Sequence, residues 1–402
     1  MAKSPSPNTF YTCDNLYVLS GLNSESVDLI YLDPPFNSKR MYTAPVGSKA
    51  AGASFKDMWT WQDVDEYYLD ALAVNFPELP KYITSVGKIH SKSMMAYLTY
   101  MAQRIVEMYR ILKETGSLYL HCDPTSSHYL QTLLDGIFGK QRFRNEIVWY
   151  YSGGGASTKQ WARKHDTIFF YSKSGEWTFN VDAVRQAYKW DKGQKRADGS
   201  ARDYEKGKLP DDVFVFHGVM PWSSERTGYP TQKPLALLHR IIKASSNEGD
   251  IVMDPFCGCA TTCVAAQQLG RKWIGIDIEK QAVKILIERL SDDTGLFKDF
   301  IATGQTPKRN DIKEVLPTES LKQRLCKEQD GKCNACGEDF KLCDIEIDHI
   351  IPKAKGGGDY YENYQLLCGS CNRIKGDHPM EYLRLKIATR ERMMKHKIFF
   401  GE

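Results

Sequence analysis

No stretch of the sequence is apolar for long enough to cross a bilayer, which argues against an integral membrane protein. Residues Met1 to Pro7 lack the apolar centre of a signal peptide, so the expected location is cytoplasmic. Internal repeats and low-complexity tracts are also missing. Charge of one sign is scarce: 54 Lys and Arg against 50 Asp and Glu leave a net +4, so total charge does not announce nucleic acid. The three-glycine phosphate fingerprint is absent, and nothing calls for a nicotinamide cofactor. What remains is ordinary for a soluble globular chain, at 42% hydrophobic and 26% charged residues. A length of 402 residues suffices for two or three domains. Cysteine is plentiful, with 11 residues; in a reducing compartment these argue for metal ligands and free thiols over disulfides.

The most informative stretch is Tyr31-Leu32-Asp33-Pro34-Pro35-Phe36. Val27 to Leu32, broken only by Asp28, reads as a buried strand, and the two prolines stop it. Ligands sit at the carboxyl ends of strands in open α/β sheets, so Asp33 is expected at the mouth of a crevice. A lone Asp-Pro more often just starts a turn. Here the residue types suit methylation of a nucleobase amine. Such an amine is a weak nucleophile because its lone pair is delocalised into the ring. Asp33 and the Pro34 carbonyl would accept its two N–H bonds, Pro35 would hold the turn, and Phe36 would stack on a flipped base. The stretch resembles the catalytic motif of the amino-group DNA methyltransferases, Asp/Asn/Ser-Pro-Pro-aromatic.

In that family a Gly/Cys-Asp-Asn stretch lies upstream, matched by Cys13-Asp14-Asn15, which makes Asp14 a candidate cofactor contact; a simple turn is an equal alternative. Residues 37 to 60 read as a mobile loop over the active-site mouth. Apolar spacing predicts helices over Tyr97 to Leu112 and His128 to Phe138, with a short strand from Ser117 to Leu120 between them. Alternating strands and helices predict a doubly wound parallel sheet. From Lys140 to Lys208, 15 Lys and Arg stand against 8 Asp and Glu, interleaved with Phe143, Trp149, Tyr150, Tyr151, Trp161, Phe169, Phe170 and Tyr171 and punctuated by Gly153 to Gly155. Basic residues with aromatics suit phosphate contact and base stacking, so residues 140–225 are the expected target-recognition region; a solvated basic face is the alternative.

Further on, Thr231-Gln232-Lys233-Pro234 opens a helix. A strand, Ile251 to Met253, then runs into Asp254-Pro255-Phe256-Cys257-Gly258-Cys259-Ala260-Thr261-Thr262. Strand, tight glycine turn and helix form a layout that cradles a nucleotide-like ligand. The next strand, Trp273 to Ile276, ends at Asp277, which is placed for ribose hydroxyls. Together these resemble the S-adenosylmethionine site of the same methyltransferases. The resemblance implies cofactor contacts from Asp14, Gln232, Lys233, Asp254, Pro255, Phe256, Gly258, Thr261, Thr262 and Asp277. The catalytic motif comes first, the recognition region next and the cofactor motif last, the permuted arrangement of the beta class. The implied fold is a Rossmann-like methyltransferase sheet over residues 1–300. Ala260 replaces a usual glycine, a tolerable change if its φ stays negative. Cys257, Cys259 and Cys263 read as small buried thiols.

Residues 301–319 read as a polar linker. In residues 320–402, Cys333-x-x-Cys336 and Cys368-x-x-Cys371 form a strong zinc signal. Between and after them, Asp348-His349-Ile350-Ile351-Pro352, Gly356 to Gly358, Asn363 and Asn372 resemble the HNH endonuclease family and its ββα-metal fold. That resemblance implies His349 as general base, Asp348 and Asn372 as ligands of Mg2+ or a similar ion, and Asn363 orienting the histidine. Arg384, Lys386, Arg390, Arg392, Lys395 and Lys397 read as a basic helix on DNA phosphates.

These readings combine into a restriction-modification type enzyme that methylates and cleaves double-stranded DNA, with a homodimer as the candidate oligomer. Asp before Pro-Pro favours the 6-amino group of adenine over the 4-amino group of cytosine. Two alternatives are a methyltransferase whose zinc domain only binds DNA, and an RNA-modifying or RNA-binding protein.

Overall fold

The computed structural model describes residues 8–399 apart from positions 39, 46, 62–63, 65–66, 152–155, 189–194, 196–199, 201–204, 295–299, 312–317, 356 and 360. In chain order the amino-terminal elements are β1 (Thr9–Tyr11), α1 (Asn15–Gly21), β2 (Val27–Leu32), β3 (Arg40–Thr43), β4 (Ser54–Asp57), α2 (Tyr67–Asn75), α3 (Glu78–Ile89), α4 (Lys92–Ile111), β5 (Leu112–Cys122) and α5 (Ser127–Phe138). The middle contributes β6 (Phe143–Tyr150), β7 (His165–Ser172), β8 (Val213–Val215), α6 (Leu235–Ser245), β9 (Ile251–Asp254), α7 (Thr261–Gln268), β10 (Lys272–Ile276), α8 (Lys280–Thr294) and β11 (Ile301–Thr303). The carboxyl-terminal unit has α9 (Thr318–Glu328), β12 (Ile345–His349), β13 (Tyr364–Cys368), α10 (Gly369–Lys375) and α11 (Met380–Phe399).

Nine strands form one sheet in the order β11-β1-β10-β9-β2-β5-β7-β6-β8. From β11 to β5 every pairing is parallel, while β7 runs antiparallel to both β5 and β6. The sheet is therefore mixed, not parallel throughout. Its two faces carry separate cores. One is centred on Leu32, Tyr97, Met101, Leu120 and Leu133, under α4 and α5. The other is centred on Leu29, Tyr119, Phe170, Leu238 and Trp273, under α6 and α7. Helix α4 starts where Ser91 caps it, its hydroxyl accepting from the Met94 N–H at 3.1 Å.

Four expectations change. Four of the eight aromatics named between Lys140 and Lys208 do not wait for DNA: Trp149, Phe169, Phe170 and Tyr171 are buried in the sheet, because β6 and β7 extend it. The glycines 153–155 lie outside the described residues. Residues 37–60 are not a free loop but contain the hairpin β3–β4. Asp57 fixes it to the turn after Phe36, accepting from the Asn37 N–H at 2.6 Å, the Ser38 N–H at 3.1 Å and the Ser38 hydroxyl. Residues 301–311 are not linker: β11 closes the sheet edge beside β1, and Asn310 and Asp311 bond Asn23 and the Ser24 N–H at 2.7 and 2.8 Å. At three residues the strand is too short to show alternation, and the polar residues after it hid it. Residues 312–317 lie outside the described residues. Finally, Ala260 has φ +60°, in the left-handed region.

The carboxyl-terminal unit pairs β12 with β13 antiparallel and packs α9, α10 and α11 on them around Leu325, Ile345, Leu366, Leu367 and Leu383. Side chains of α11 from position 390 onward lie outside the described set, so four of the six basic residues proposed for that helix do too. Among the described residues no helix is long and apolar enough to cross a membrane.

Candidate active site and metal centre

A cavity of about 620 Å³ opens at the carboxyl ends of β2, β9 and β10. That is the size range of small-ligand sites. Asp14, Asp33, Pro34, Pro35, Phe36, Gln232, Lys233, Asp254, Pro255, Phe256, Gly258, Thr261, Thr262 and Asp277 all line it. The sheet order explains the convergence, since β9 lies directly beside β2.

At the catalytic-motif end, Asp33 Oδ2 pairs with Lys233 Nζ, which is itself nearly buried. Asp33 Oδ1 is buried with no hydrogen-bond partner among the described residues. Buried polar atoms are seldom left so unless something else is to bond them. Lys233 thus lies against the carboxylate and also 5.6 Å from the centre of the Phe36 ring. Beneath Phe36 lies His121, stacked at 6.0 Å and fully buried. Its Nδ1 meets the Tyr31 hydroxyl at 2.8 Å and stands 4.0 Å from Asp33 Oδ1, and its Nε2 meets Asp166 at 3.1 Å. Burial pushes Asp166 up, but the bonds from His121 and the charge of Lys233 carry it below its ordinary value. The sequence reading missed His121 and Asp166; the signal was a histidine directly after the strand expected over Ser117 to Leu120.

At the other end, Asp254 accepts from the Thr262 hydroxyl at 2.5 Å and the Phe256 N–H at 3.0 Å, which folds the turn back on its own strand. Gly258 continues the turn at φ +51°, and a β-carbon there would meet the Tyr229 ring at 3.1 Å, so glycine is required. Asp277 accepts from the Gly258 and Glu279 N–H groups at 2.7 and 2.8 Å. Burial raises Asp254 to about 7, with nearby Asp33 and Asp277 adding to it, and raises Asp277 to about 6. Asp14 caps α1 through the Leu16 N–H at 2.8 Å and pairs with Arg104 at 2.9 Å. Arg104 and Asn15 bond each other at 2.6 Å, and Asn15 reaches the Pro255 carbonyl at 2.8 Å. Gln232 lines the cavity, but its side chain is spent on the preceding loop: it accepts from the Thr227 N–H at 2.9 Å and donates to the Glu225 carbonyl at 2.7 Å. Cys257, Cys259 and Cys263 are buried, with 3.3 Å between the Cys257 and Cys263 sulfurs. A cavity with acidic groups at one end and an unpartnered carboxylate oxygen at the other fits a cationic, nucleoside-like cofactor.

In the carboxyl-terminal unit the sulfurs of Cys333, Cys336, Cys368 and Cys371 lie within 4.8 Å of one another. The Cys368 N–H points to the Cys333 sulfur at 3.3 Å, and the Cys371 N–H points to the Cys368 sulfur at 3.5 Å. Four such donors fit a tetrahedral zinc ion, which would join the loop before β12 to the start of α10. The nuclease residues are less open. Asp348 is nearly buried and engaged by Lys375 Nζ at 3.1 Å and Gln365 at 2.7 Å. Asn372 bonds Glu346 at 2.6 Å. With an ammonium already on its carboxylate, Asp348 does not fit a second cation as it stands. His349 meets Asp359 at 2.8 Å, and Asp359 also accepts from Lys353 and the Tyr364 hydroxyl. Burial raises Asp359, but those bonds bring it down to about 2. Asn363 fastens backbone: it accepts from the Ile351 N–H at 2.8 Å and donates to the Ile351 and Gly358 carbonyls at 3.1 and 3.0 Å. Asp359, not Asn363, is the side chain that holds the imidazole.

The comparisons with known proteins place the chain among the methyltransferases that act on amino groups of DNA. Residues 27–288, more than half the chain, match the DNA methylase family, and the chain belongs to it; residues 333–378 match the HNH endonuclease family. The chain is 31% identical over 306 residues to the type II methyltransferase M.HpaI of Haemophilus parainfluenzae, covering 75% of this chain and 80% of that protein. It is 30% identical over 317 residues to the DNA adenine methyltransferase YhdJ of Escherichia coli K12, covering 76% and 92%. Among solved structures it is similar to the cytosine-N4-specific PvuII DNA methyltransferase (13% identity, 74% of this chain and 96% of that one, TM-score 0.46) and to the M1.HpyAVI–SAM complex (19%, 70% and 98%, TM-score 0.41).

Proposed function

We propose that the chain transfers a methyl group from S-adenosylmethionine to the 6-amino group of adenine in a specific duplex sequence, and that its HNH unit hydrolyses DNA. The observation that carries the first part is the single unpartnered oxygen of Asp33 in the cavity. With Oδ2 held by Lys233, Oδ1 accepts one N–H of the flipped base, and the Pro34 carbonyl accepts the other. Phe36 covers the base face. The cofactor, when bound, supplies an electrophilic methyl on a sulfonium. Asp254, Asp277 and the turn between them orient it, and the nitrogen's surplus proton leaves towards Asp33 Oδ1. Asp in the first motif position and the adenine-specific relative favour adenine. Sequencing DNA from expressing cells for modified bases tests this: N6-methyladenine in one motif is expected. N4-methylcytosine would overturn the base assignment, and modified RNA with unmodified DNA would overturn the substrate.

Cleavage rests on the Asp348-His349 pair, on Asn372 and on the HNH match. It requires Lys375 to leave Asp348. Because Lys375 occupies that carboxylate, a second reading has specific support: a zinc unit that binds DNA without cutting it. A metal-dependent nicking assay decides, with His349→Ala expected to stop nicking and spare methylation. Nicking that survives in that variant, or its absence from the wild type, favours the binding reading. A single HNH centre cuts one strand, so a double-strand break takes a second copy of the chain or a second visit.

A further inference from the structure

Two tryptophans are left almost wholly in water, Trp161 at 96% and Trp222 at 82% exposure. Both belong to loops at the catalytic end of the sheet, and strand register shows it. Leu32, the last residue of β2, pairs with Leu120 of β5. Cys122 pairs with Thr167 of β7, His165 pairs with Tyr150 of β6, and Tyr150 pairs with Val215 of β8. Thus the β6–β7 connection, with Trp161, and the segment after β8, with Trp222, leave the same edge as Asp33. With strands about 4.8 Å apart, β7 is about 10 Å from β2 and β8 about 20 Å, a span comparable to the width of a duplex.

Local hydrogen bonds shape both loops. Trp222 occupies the tip of a turn, Met220-Pro221-Trp222-Ser223, closed by the Ser223 N–H to the Met220 carbonyl at 3.0 Å, with proline at its favoured second position. That loop is fastened at one end by Trp149 Nε1 to the Phe216 carbonyl at 3.0 Å. At the other end it is held by Gln232 on the Glu225 carbonyl, one residue before Lys233. Trp161 follows a turn in which the Ser157 hydroxyl accepts from the Lys159 and Gln160 N–H groups, and the Tyr151 N–H closes onto the Lys164 carbonyl at 3.0 Å. Residues 156–165 hold Lys159, Arg163 and Lys164 with no Asp or Glu. Hydrogen-bonded turns that hold large rings in water beside basic side chains, at the edge of the sheet that carries Asp33, suit a polyanion whose bases stack.

We propose that Trp161 and Trp222 are wedge residues that enter the duplex beside the target base and fill the stack it leaves, so that the base stays in the cavity above Phe36. This rests on the reading that the chain methylates a base drawn out of duplex DNA. The test compares Trp161→Ala, Trp222→Ala and the double variant on two oligonucleotide duplexes, one matched and one with a mismatch opposite the target adenine. A mismatch makes flipping cheaper and bypasses a wedge. Each variant is expected to lose about tenfold to hundredfold in kcat/KM on the matched duplex, the worth of one stacked base. It should approach wild-type activity on the mismatched duplex, and Trp→Phe variants should keep most activity on both. No loss, or equal losses on both duplexes, overturns the wedge and leaves the methylation reading standing, with equal losses pointing to plain binding contacts. A wild-type protein that methylates neither duplex overturns the methylation reading and the wedge with it.

Discussion

Cofactor affinity should fall as pH drops below about 7. Burial holds Asp254 near 7 and Asp277 near 6, so at pH 6.5 much of the ligand-free protein carries a proton on Asp254. S-adenosylmethionine is cationic at its sulfonium and amine, and a positive charge beside buried carboxyls favours their ionised forms. Binding therefore expels protons. The dissociation constant should rise about tenfold for each pH unit from 7 to 6, and more steeply below 6 once Asp277 joins. The stability of the ligand-free protein moves the other way. For an acid raised in the folded state, the stabilising contribution is complete below the unfolded value and disappears as pH rises through the folded one. For Asp254 that span, from 3.8 to about 7, is about 4 kcal/mol at about 1.4 kcal/mol per tenfold change. The cofactor should thus protect against thermal unfolding more at pH 8 than at pH 5.5. Titration calorimetry from pH 5.5 to 8, in two buffers of different ionisation enthalpy, counts the protons released. Flat affinity across that range would refute the reasoning, and so would an Asp254→Asn variant that keeps the slope between pH 6 and 7.

Other outcomes follow from the same geometry. Asp33→Asn should lower methyl transfer by about a hundredfold or more while calorimetric cofactor affinity stays within a few-fold; Asp33→Ala is the harsher change, because among the described residues it leaves the Lys233 ammonium the Thr231 carbonyl at 3.2 Å and no carboxylate. Removing zinc should unfold residues from about 320 onward and leave the sheet intact, seen as new proteolytic sites confined to that part; metal analysis showing no zinc in folded protein would sink this. Ala260→Gly should relieve a left-handed alanine and raise stability by up to about 1 kcal/mol in thermal unfolding, and a clear loss would mean that the buried methyl group outweighs the backbone term.

The strands and helices that carry a strong period were legible. Val27–Leu32 was placed at both ends, because two prolines stop it and an apolar run fills it. Ile251 to Met253 was one residue short of its strand. Misplaced segments were those where composition and burial part company. Strands β6 and β7 look like a basic, aromatic binding surface in sequence, but alternation sends Ile147 and Trp149 inward and leaves Glu146 and Tyr150 exposed. Strand β11, Ile301-Ala302-Thr303, is exposed or half-buried and too short for a period to mark it. The hairpin β3–β4 is shaped by Asp57 gripping a turn twenty residues earlier, a tie that periodicity cannot register.

The candidate site divides along the same line. Asp33, Asp254 and Asp277 each end a strand, and the adjoining turn is written in the next few residues, so one local window gives both the side chain and its placement. Their partners come from elsewhere. Lys233 stands 200 residues from Asp33; the resemblance reads it for the cofactor, and its window contains nothing of β2 that would show the pairing. His121 and Asp166 meet under Phe36 only because β5 and β7 are neighbours in the sheet, an order no single strand encodes. The HNH unit repeats the pattern: the cysteine knuckles and Asp348-His349 are local and readable, whereas Lys375 on Asp348 and Asp359 on His349 depend on how α10 and the glycine-rich loop fold back over β12. Local windows therefore identify the groups that do chemistry, while the charges that set their state come through the topology. For this chain the proposed cleavage therefore turns on one ion pair, Lys375 with Asp348: DNA or a divalent ion must displace an ammonium from a buried carboxylate before Asp348 can hold a metal.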